Sequence, residues 1–247
     1  MIQDNIKFKG KTIDFVYPDE LATEIKTQKL EMFQNEQYKN GIRGKNLVYL
    51  DIGANIGLAT TYFQPYAKKI YSIEPNPDIF AALVENTKKF NNVERFNLAM
   101  GNVNGYDYMF SNAGGSLPQT FYGDDTSIHQ IKVKVAAMDT FLKENNINHV
   151  DVMKIDVEGA EFIILASDSF LRVADKIDYI IGESHYIYGG FPDALLSILK
   201  DAGFNKARFI PNMKPNYFRD MEYTEIETGK KKKWIVPYNT MFEAWRE

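Results

Sequence analysis

The 247-residue chain contains no cysteine. That absence removes disulfides, thiolate–zinc sites, iron–sulfur chemistry and every mechanism that needs a thiol nucleophile. Positive charge is not in excess either: 29 Lys and Arg stand against 33 Asp and Glu, for a net charge of −4. A field of that sign does not gather nucleic acid, so no nucleic-acid partner is expected. No apolar run approaches the roughly 18 residues of a membrane span, and Met1-Ile-Gln-Asp lacks a basic-then-apolar leader. A cytoplasmic protein without a membrane span is the expectation. Internal repeats and low-complexity segments are lacking as well. What remains is an ordinary globular composition, long enough for one large core.

The most informative stretch runs Val48-Tyr-Leu-Asp51-Ile-Gly53-Ala54-Asn55-Ile-Gly57 and continues, after a helical interval, as Ile70-Tyr-Ser-Ile-Glu74-Pro75-Asn76-Pro77. It reads as a strand, a glycine turn, a helix, a second strand and an acidic residue at that strand's tip. Gly53 lets the backbone turn tightly. Gly57 lets the next helix approach the sheet, and the helix N-terminus offers N–H groups to a ligand. Glu74 lies where nucleotide folds place the carboxylate that grips a ribose hydroxyl pair. The turn is D-x-G-x-N-x-G rather than G-x-G-x-x-G, with Asn55 in place of the glycine that admits a pyrophosphate. Asp51 repels phosphate and suits the ammonium and sulfonium of S-adenosylmethionine. A positively charged nucleoside is therefore favoured over a dinucleotide.

Asp51-Ile-Gly-Ala-Asn-Ile-Gly57, Ile73-Glu-Pro-Asn-Pro77 and Met153-Lys-Ile-Asp-Val-Glu-Gly-Ala-Glu161 resemble the motifs of the FkbM family of S-adenosylmethionine-dependent methyltransferases, over about Gly44 to Glu183. The resemblance implies an α/β, doubly wound, Rossmann-like class I methyltransferase sheet. It would be mostly parallel, with an antiparallel last strand inserted between strands five and six. The cofactor-binding positions read from the motifs are Asp51, Gly53, Ala54, Asn55 and Gly57, then Glu74, Pro75 and Asn76. Ala99 and Met100 follow at the third strand, Met100 as a soft contact for adenine. Family members are associated with O-methylation of sugar and polyketide hydroxyls. Amino-directed nucleic-acid methyltransferases instead carry an Asn/Asp-Pro-Pro-aromatic turn, which Asp156-Val-Glu-Gly159 does not match.

Along the chain, strands alternate with helices, as in a mostly parallel sheet. Residues 1–45 read as a cap, a hairpin within Lys7–Val16 and a helix within Asp19–Glu36, over a main domain of residues 46–247. Further elements are a helix Leu58–Tyr66, a third strand Arg95–Ala99, and an antiparallel pair Tyr106–Phe110 with Ile131–Ala136. A helix Ala160–Phe170 and a sixth strand Phe204–Ile210 follow. Ser111–Gln130 reads either as a substrate-side loop or as a surface insertion. Residues 211–232 read as a polar connection, with Gly229-Lys-Lys-Lys-Lys-Trp234 as a solvated turn.

In an open α/β sheet the ligand crevice lies beyond the carboxyl ends of the strands. Four acid/base candidates converge there: Asp156, Glu158, Glu183 and His185. Asp156 can serve catalysis, contact the cofactor's amino acid end, or cap a helix. Glu158 and Glu161 sit in a first helical turn, where the macrodipole favours acids regardless of function. For a general base the reading ranks His185 ahead of Glu183, because imidazole titrates near neutrality while a carboxylate would need burial to raise its pKa. His129 and His149 read as solvated loop residues. A divalent metal is not predicted; one bound here would take Asp156, Glu183 and His185. Tyr186, Tyr188 and Phe191 offer a sugar an apolar face or pack against the N-terminal helix, with equal weight. The expected activity is methyl transfer to a hydroxyl of a sugar or glycoconjugate. The alternatives are a metal-assisted enzyme acting on a polyketide or phenol, and a non-catalytic cofactor-binding subunit.

Overall fold

The computed structural model describes residues 1–111, 129–185, 192–210, 218–224, 231–237 and 239–247. In chain order the elements are β1 (Ile2–Phe8), β2 (Lys11–Tyr17), α1 (Ala22–Lys29), β3 (Leu47–Ile52), α2 (Leu58–Phe63), β4 (Ala67–Ile73) and α3 (Pro77–Thr87). Then come β5 (Val93–Phe96), β6 (Ala99–Gly101), β7 (Gly105–Ser111), β8 (His129–Ala137), α4 (Met138–Glu144), β9 (Val150–Ile155), α5 (Glu161–Leu165) and α6 (Asp168–Leu171). The chain closes with β10 (Ile177–His185), α7 (Pro192–Asp201), β11 (Lys206–Phe209), β12 (Phe218–Thr224), β13 (Lys231–Pro237) and β14 (Asn239–Trp245).

A seven-stranded sheet in the order β11-β14-β10-β9-β3-β4-β5 forms the centre. β10, β9, β3, β4 and β5 pair in parallel, and β14 runs antiparallel to both β10 and β11. The antiparallel last strand thus sits where the family resemblance puts it. Both faces of the central strands are covered, which is why their sequences are nearly unbroken apolar runs. The period of two divides them. Leu50, Met153 and Ile180 pack toward Phe141, Leu165, Phe170 and Leu199. Tyr49, Val152 and Tyr179 pack on the other face toward Phe63, Ile79 and the N-terminal Ile25 and Phe33.

Residues 1–45 hold a hairpin that runs from Ile2 to Tyr17, longer at both ends than the expected Lys7–Val16, and α1, shorter than the expected Asp19–Glu36, and they share the core. Phe8 and Phe33 meet at 5.3 Å, and Phe8 meets Tyr62 of α2 at 5.5 Å. The Asn86 side chain of α3 accepts from the Val16 N–H at 2.7 Å and donates to the Val16 carbonyl at 2.9 Å, fastening β2 to the body.

Several boundaries differ from expectation. The third strand breaks at Asn97, whose amide donates to the carbonyls of Glu74 and Pro75 at 2.9 Å each. β5 therefore stays in the main sheet, while β6 joins a second sheet with β8 and β7. Helix Leu58–Tyr66 ends at Phe63, because Pro65 turns the next residues into a 3-10 segment. Helix Ala160–Phe170 is two helices: the Ser167 hydroxyl accepts from the Phe170 N–H at 3.1 Å and caps α6. The polar connection holds a hairpin, β12 with β13, so Lys231–Trp234 forms strand rather than turn. The antiparallel pair β7–β8 is as expected, with Val133 and Val135 buried between solvated Lys132 and Lys134. Most of Ser111–Gln130, together with Tyr186, Tyr188 and Phe191, lies outside the described residues.

Candidate functional site

Beyond the carboxyl ends of β3, β4, β9 and β10 lies a cavity of about 990 Å³. The turn after β3 forms its floor. Gly53 adopts φ +75°, and a Cβ there would lie 1.8 Å from the Asp156 carbonyl oxygen, so only glycine lets the tips of β3 and β9 meet. Gly57, at φ +92°, spares a collision with Leu83 and Thr87 of α3, so the approach it permits is helix to helix rather than helix to sheet. The N–H groups of this turn are already spent. Gly53 and Ala54 donate to the Ile73 carbonyl, Asn55 to Glu74, Ile56 to the Asn55 side chain, and Gly57 to the Ala54 carbonyl. The turn therefore presents carbonyls and side chains, and the N–H groups expected at the helix N-terminus belong to the first residues of α2, of which Leu58 and Ala59 line the cavity.

Glu74, at the tip of β4, is buried and aimed by two backbone donors, Asn55 N–H at 3.0 Å and Asn76 N–H at 2.9 Å. Burial outweighs those bonds and raises its pKa to about 7. Asp51 is fully buried and does not line the cavity. It accepts from the Thr60 hydroxyl at 2.6 Å, and Lys154 Nζ lies 3.5 Å away. Lys154 also lies 3.6 Å from Asp156 and donates to the Gly53 carbonyl at 2.6 Å. Burial alone would lower Lys154, but Asp156 and Asp51 outweigh it and keep the cation charged. The field of Asp51 is thus neutralised locally, and the expected direct repulsion of phosphate by Asp51 does not survive. A lone lysine within the buried run Val152–Ile155 was the sequence signal for this residue, and the sequence reading assigned it no role.

On β10, Glu183 and His185 share one face. His185 is buried with both ring nitrogens engaged: Nδ1 lies 3.0 Å from Glu161 and Nε2 lies 3.2 Å from Glu158. Burial favours the neutral ring, yet Glu158 and Glu161 outweigh it and hold the pKa well above the usual histidine range. The premise that ranked His185 first, an unshifted imidazole, fails in this geometry. Glu161, also fully buried, accepts from the Val157 N–H at 2.9 Å and the Gly159 N–H at 3.0 Å as well. It is a structural clamp, which helix-dipole reasoning did not foresee. Glu158 stands at φ +55°, a left-handed conformation costly for a non-glycine residue. That turn aims its carboxylate at His185. Burial raises Glu183 to about 8, with Asp156 adding to the rise, and Asn239 donates to it. Burial likewise raises Glu158 to about 7 against the opposing charge of His185, although a 32% exposed side chain keeps some solvent screening.

Donor atoms of Asp156, Glu158 and His185 come within 4.8 Å of one another. Glu158 rather than Glu183 completes this group. An ion there would have to displace the proton that His185 shares with its carboxylates, so the donor set fits a metal poorly. His149, half exposed, pairs with Asp178 at 3.1 Å at the opposite end of the sheet, and the side chain of His129 lies outside the described residues.

Gly53, Ala54, Asn55, Glu74, Pro75, Ala99 and Met100 line the cavity with Asp156, Glu158, Glu183 and His185; Asp51, Gly57 and Asn76 stand behind the wall. Asn76 acts as the N-cap of α3, accepting from Asp78 and Ile79. The far wall is the N-terminal segment, contributing Thr23, Glu24, Thr27, Gln28 and Tyr38. The Tyr38 hydroxyl donates to Asp156 at 3.1 Å. Amphipathic spacing alone did not show that α1 turns polar groups inward.

The model of the methyltransferase FkbM domain matches residues 51–206. A hexuronic acid methyltransferase from Haloferax volcanii is 26% identical over 164 residues, which are 63% of this chain and 62% of that protein. The chain thus matches less than two thirds of that relative's length. Among solved structures, a precorrin-6y C5,15-methyltransferase from Geobacter metallireducens aligns with TM-score 0.45 at 16% identity, over 94% of this chain and 95% of that one. An FkbM methyltransferase from Methylobacillus flagellatus aligns with TM-score 0.45 at 12% identity, over 81% of this chain and 44% of that one. With the family model spanning more than half of its residues, the chain belongs to the FkbM family of S-adenosylmethionine-dependent methyltransferases.

Proposed function

We propose that this protein transfers the methyl group of S-adenosylmethionine to a hydroxyl of a sugar or glycoconjugate, with Glu183 as the general base. The observation that carries the reading is the mixed lining of the cavity. Glu74 and apolar Ala99 and Met100 line it together with Thr23, Thr27 and Gln28 of the N-terminal segment and with Asp156, Glu158 and Glu183. Bound there, S-adenosylmethionine supplies a methyl group on a sulfonium leaving group. Glu74, its carboxylate fixed by two N–H groups, would accept hydrogen bonds from the ribose hydroxyls, and Met100 would pack on the adenine. The charged amino acid end would lie against the turn Gly53-Ala54-Asn55. Glu183 takes the acceptor's proton as the oxygen gains the methyl group, and its raised pKa suits a base working near neutrality. His185 holds Glu158 in place. The hexuronic acid methyltransferase relative supports a sugar acceptor.

A metal-assisted reading would need Asp156, Glu158 and His185, whose ligand atoms lie close together, to give up the proton held at His185. One set of assays tests both. Calorimetry should show uptake of S-adenosylmethionine and none of NADH. Mass spectrometry should then show a deuteromethyl ether on members of a glycoside panel supplied with the CD3-labelled cofactor, at an unchanged rate in EDTA. NADH binding without S-adenosylmethionine uptake contradicts the cofactor assignment. Loss of turnover in chelator with recovery on Mg²⁺ replaces direct base catalysis by the metal-assisted reading.

A further inference from the structure

The charge on the cavity walls separates classes of acceptor, given the reading of this cavity as a hydroxyl-methylating site. Among the described residues the cations lining it are Lys154 and His185. Each is spent on two carboxylates. Lys154 lies 3.5 Å from Asp51 and 3.6 Å from Asp156, and His185 lies 3.2 Å from Glu158 and 3.0 Å from Glu161. Neither has charge to spare for an anionic substrate. Glu24 and Glu183 line the same cavity, and their hydrogen-bond donors are amides: Gln28 Nε2 at 2.8 Å for Glu24, and Asn239 Nδ2 for Glu183. An amide fixes a carboxylate without cancelling its charge. Burial, and then the neighbouring charge of Asp156, raise the proton affinity of both glutamates; at Glu183 the charge of His185 opposes the rise, and Glu158 and Glu31 add to it.

We propose that the acceptor is a polyol carrying an amine close to its reacting hydroxyl, an amino sugar or amino alcohol, whose ammonium faces Glu24, Asp156 and Glu183, and that a carboxylate-bearing sugar is rejected; from the hexuronic acid methyltransferase relative the sugar class carries over and the acid does not. At an effective dielectric constant of about 20, a like charge about 6 Å away costs about a hundredfold in affinity, and an opposite charge gains as much before desolvation. The ammonium has a second effect. It favours the ionised form of Glu183 and so readies the base below the pH at which a neutral acceptor would find it deprotonated.

Three methyl glycosides that differ only at C6 test this: the parent glucoside, its 6-amino-6-deoxy derivative and the glucuronide. The readout is kcat/KM of the full chain at low ionic strength between pH 6.5 and 9, with CD3-labelled S-adenosylmethionine as donor. The proposal predicts that at pH 7 the amine exceeds the glucoside at least tenfold and the glucuronide falls at least tenfold below it. In kcat, which the same curves give and which reports the bound complex, the advantage of the amine should narrow as the pH passes about 8, where Glu183 ionises unaided. Glu24→Gln should shrink the ratio of amine to glucuronide about tenfold. A glucuronide rate equal to or above that of the glucoside, or an amine no better than the glucoside, overturns the proposal and leaves the sugar reading standing. No transfer to any of the three, with S-adenosylmethionine still bound, contradicts the sugar reading and the proposal together.

Discussion

A carboxyl group buried beside other carboxylates keeps its proton to high pH, and an imidazole buried between two carboxylates keeps its own. At the end of β10 this exchanges the roles that Glu183 and His185 have by residue type. Glu183 is brought toward the range useful to a base, while His185 is held as a cation whose two N–H groups are both committed. Glu161 is decisive, since it holds the ring nitrogen and three backbone donors, Val157, Gly159 and His185, at once. Glu161→Gln should therefore bring the His185 titration down toward the ordinary histidine range, as read by proton NMR of the imidazole. A His185 titration unchanged by the substitution contradicts the clamp.

At the scale of elements, the parts most legible in the sequence were those buried on both faces. β3, β4, β9 and β10 announce themselves as apolar runs, and their tips are marked by Gly53, Glu74, Asp156 and Glu183. Where a side chain replaces the backbone as hydrogen-bond partner, boundaries were lost. Asn97 ends β5 by bonding two carbonyls of the neighbouring loop, and Ser167 splits a helix by capping its second half. Neither choice leaves a trace in hydrophobic periodicity. β13 was hidden for another reason: four consecutive lysines resemble a solvated turn, yet ladder pairing needs only backbone groups. The site was half legible. Its carboxylates stood in the motifs, but Lys154 and the inward polar face of α1 acquire meaning only once distant segments meet. Asn86 exemplifies such a junction, joining α3 to β2 and to the Ile56 carbonyl. Asn86→Ala should cost about 1–3 kcal/mol by leaving the Val16 groups unpaired, measurable as a lower urea midpoint. An unchanged midpoint means that the N-terminal hairpin is not fastened there.

For the whole molecule, cavity and core compete. Residues 1–45 pack on the same cluster as α2 and α3 and also wall the cavity, so we propose that they serve as an integral cap on the domain of residues 46–247. Among the described residues no helix is long and apolar enough to cross a membrane. The cavity concentrates carboxyl groups whose pKa values folding raises: Glu74 and Glu158 to about 7 and Glu183 to about 8. A group that binds its proton more tightly when folded contributes stability that is complete below its unfolded pKa and is lost as the pH rises through its folded pKa. The raised pKa of His185 acts in the same direction. The melting temperature should thus fall between about pH 5 and 9, most steeply near pH 6–7, between the unfolded and the folded pKa values, and S-adenosylmethionine should offset part of the fall by binding the folded state. A melting temperature that climbs across that interval contradicts the ionisation pattern.

The most direct test is single-turnover methyl transfer to a neutral glycoside, followed against pH in the wild type, Glu183→Gln and His185→Gln. The wild-type rate should climb to a plateau above about pH 8. On that plateau Glu183→Gln should transfer about 10²–10⁴ times more slowly, the deficit shrinking toward low pH, with S-adenosylmethionine affinity retained, and His185→Gln should lose less. Near-normal transfer by Glu183→Gln, with His185→Gln inactive and the wild-type rate rising near pH 6.5, would restore the imidazole as base and contradict the proton assignment at this site.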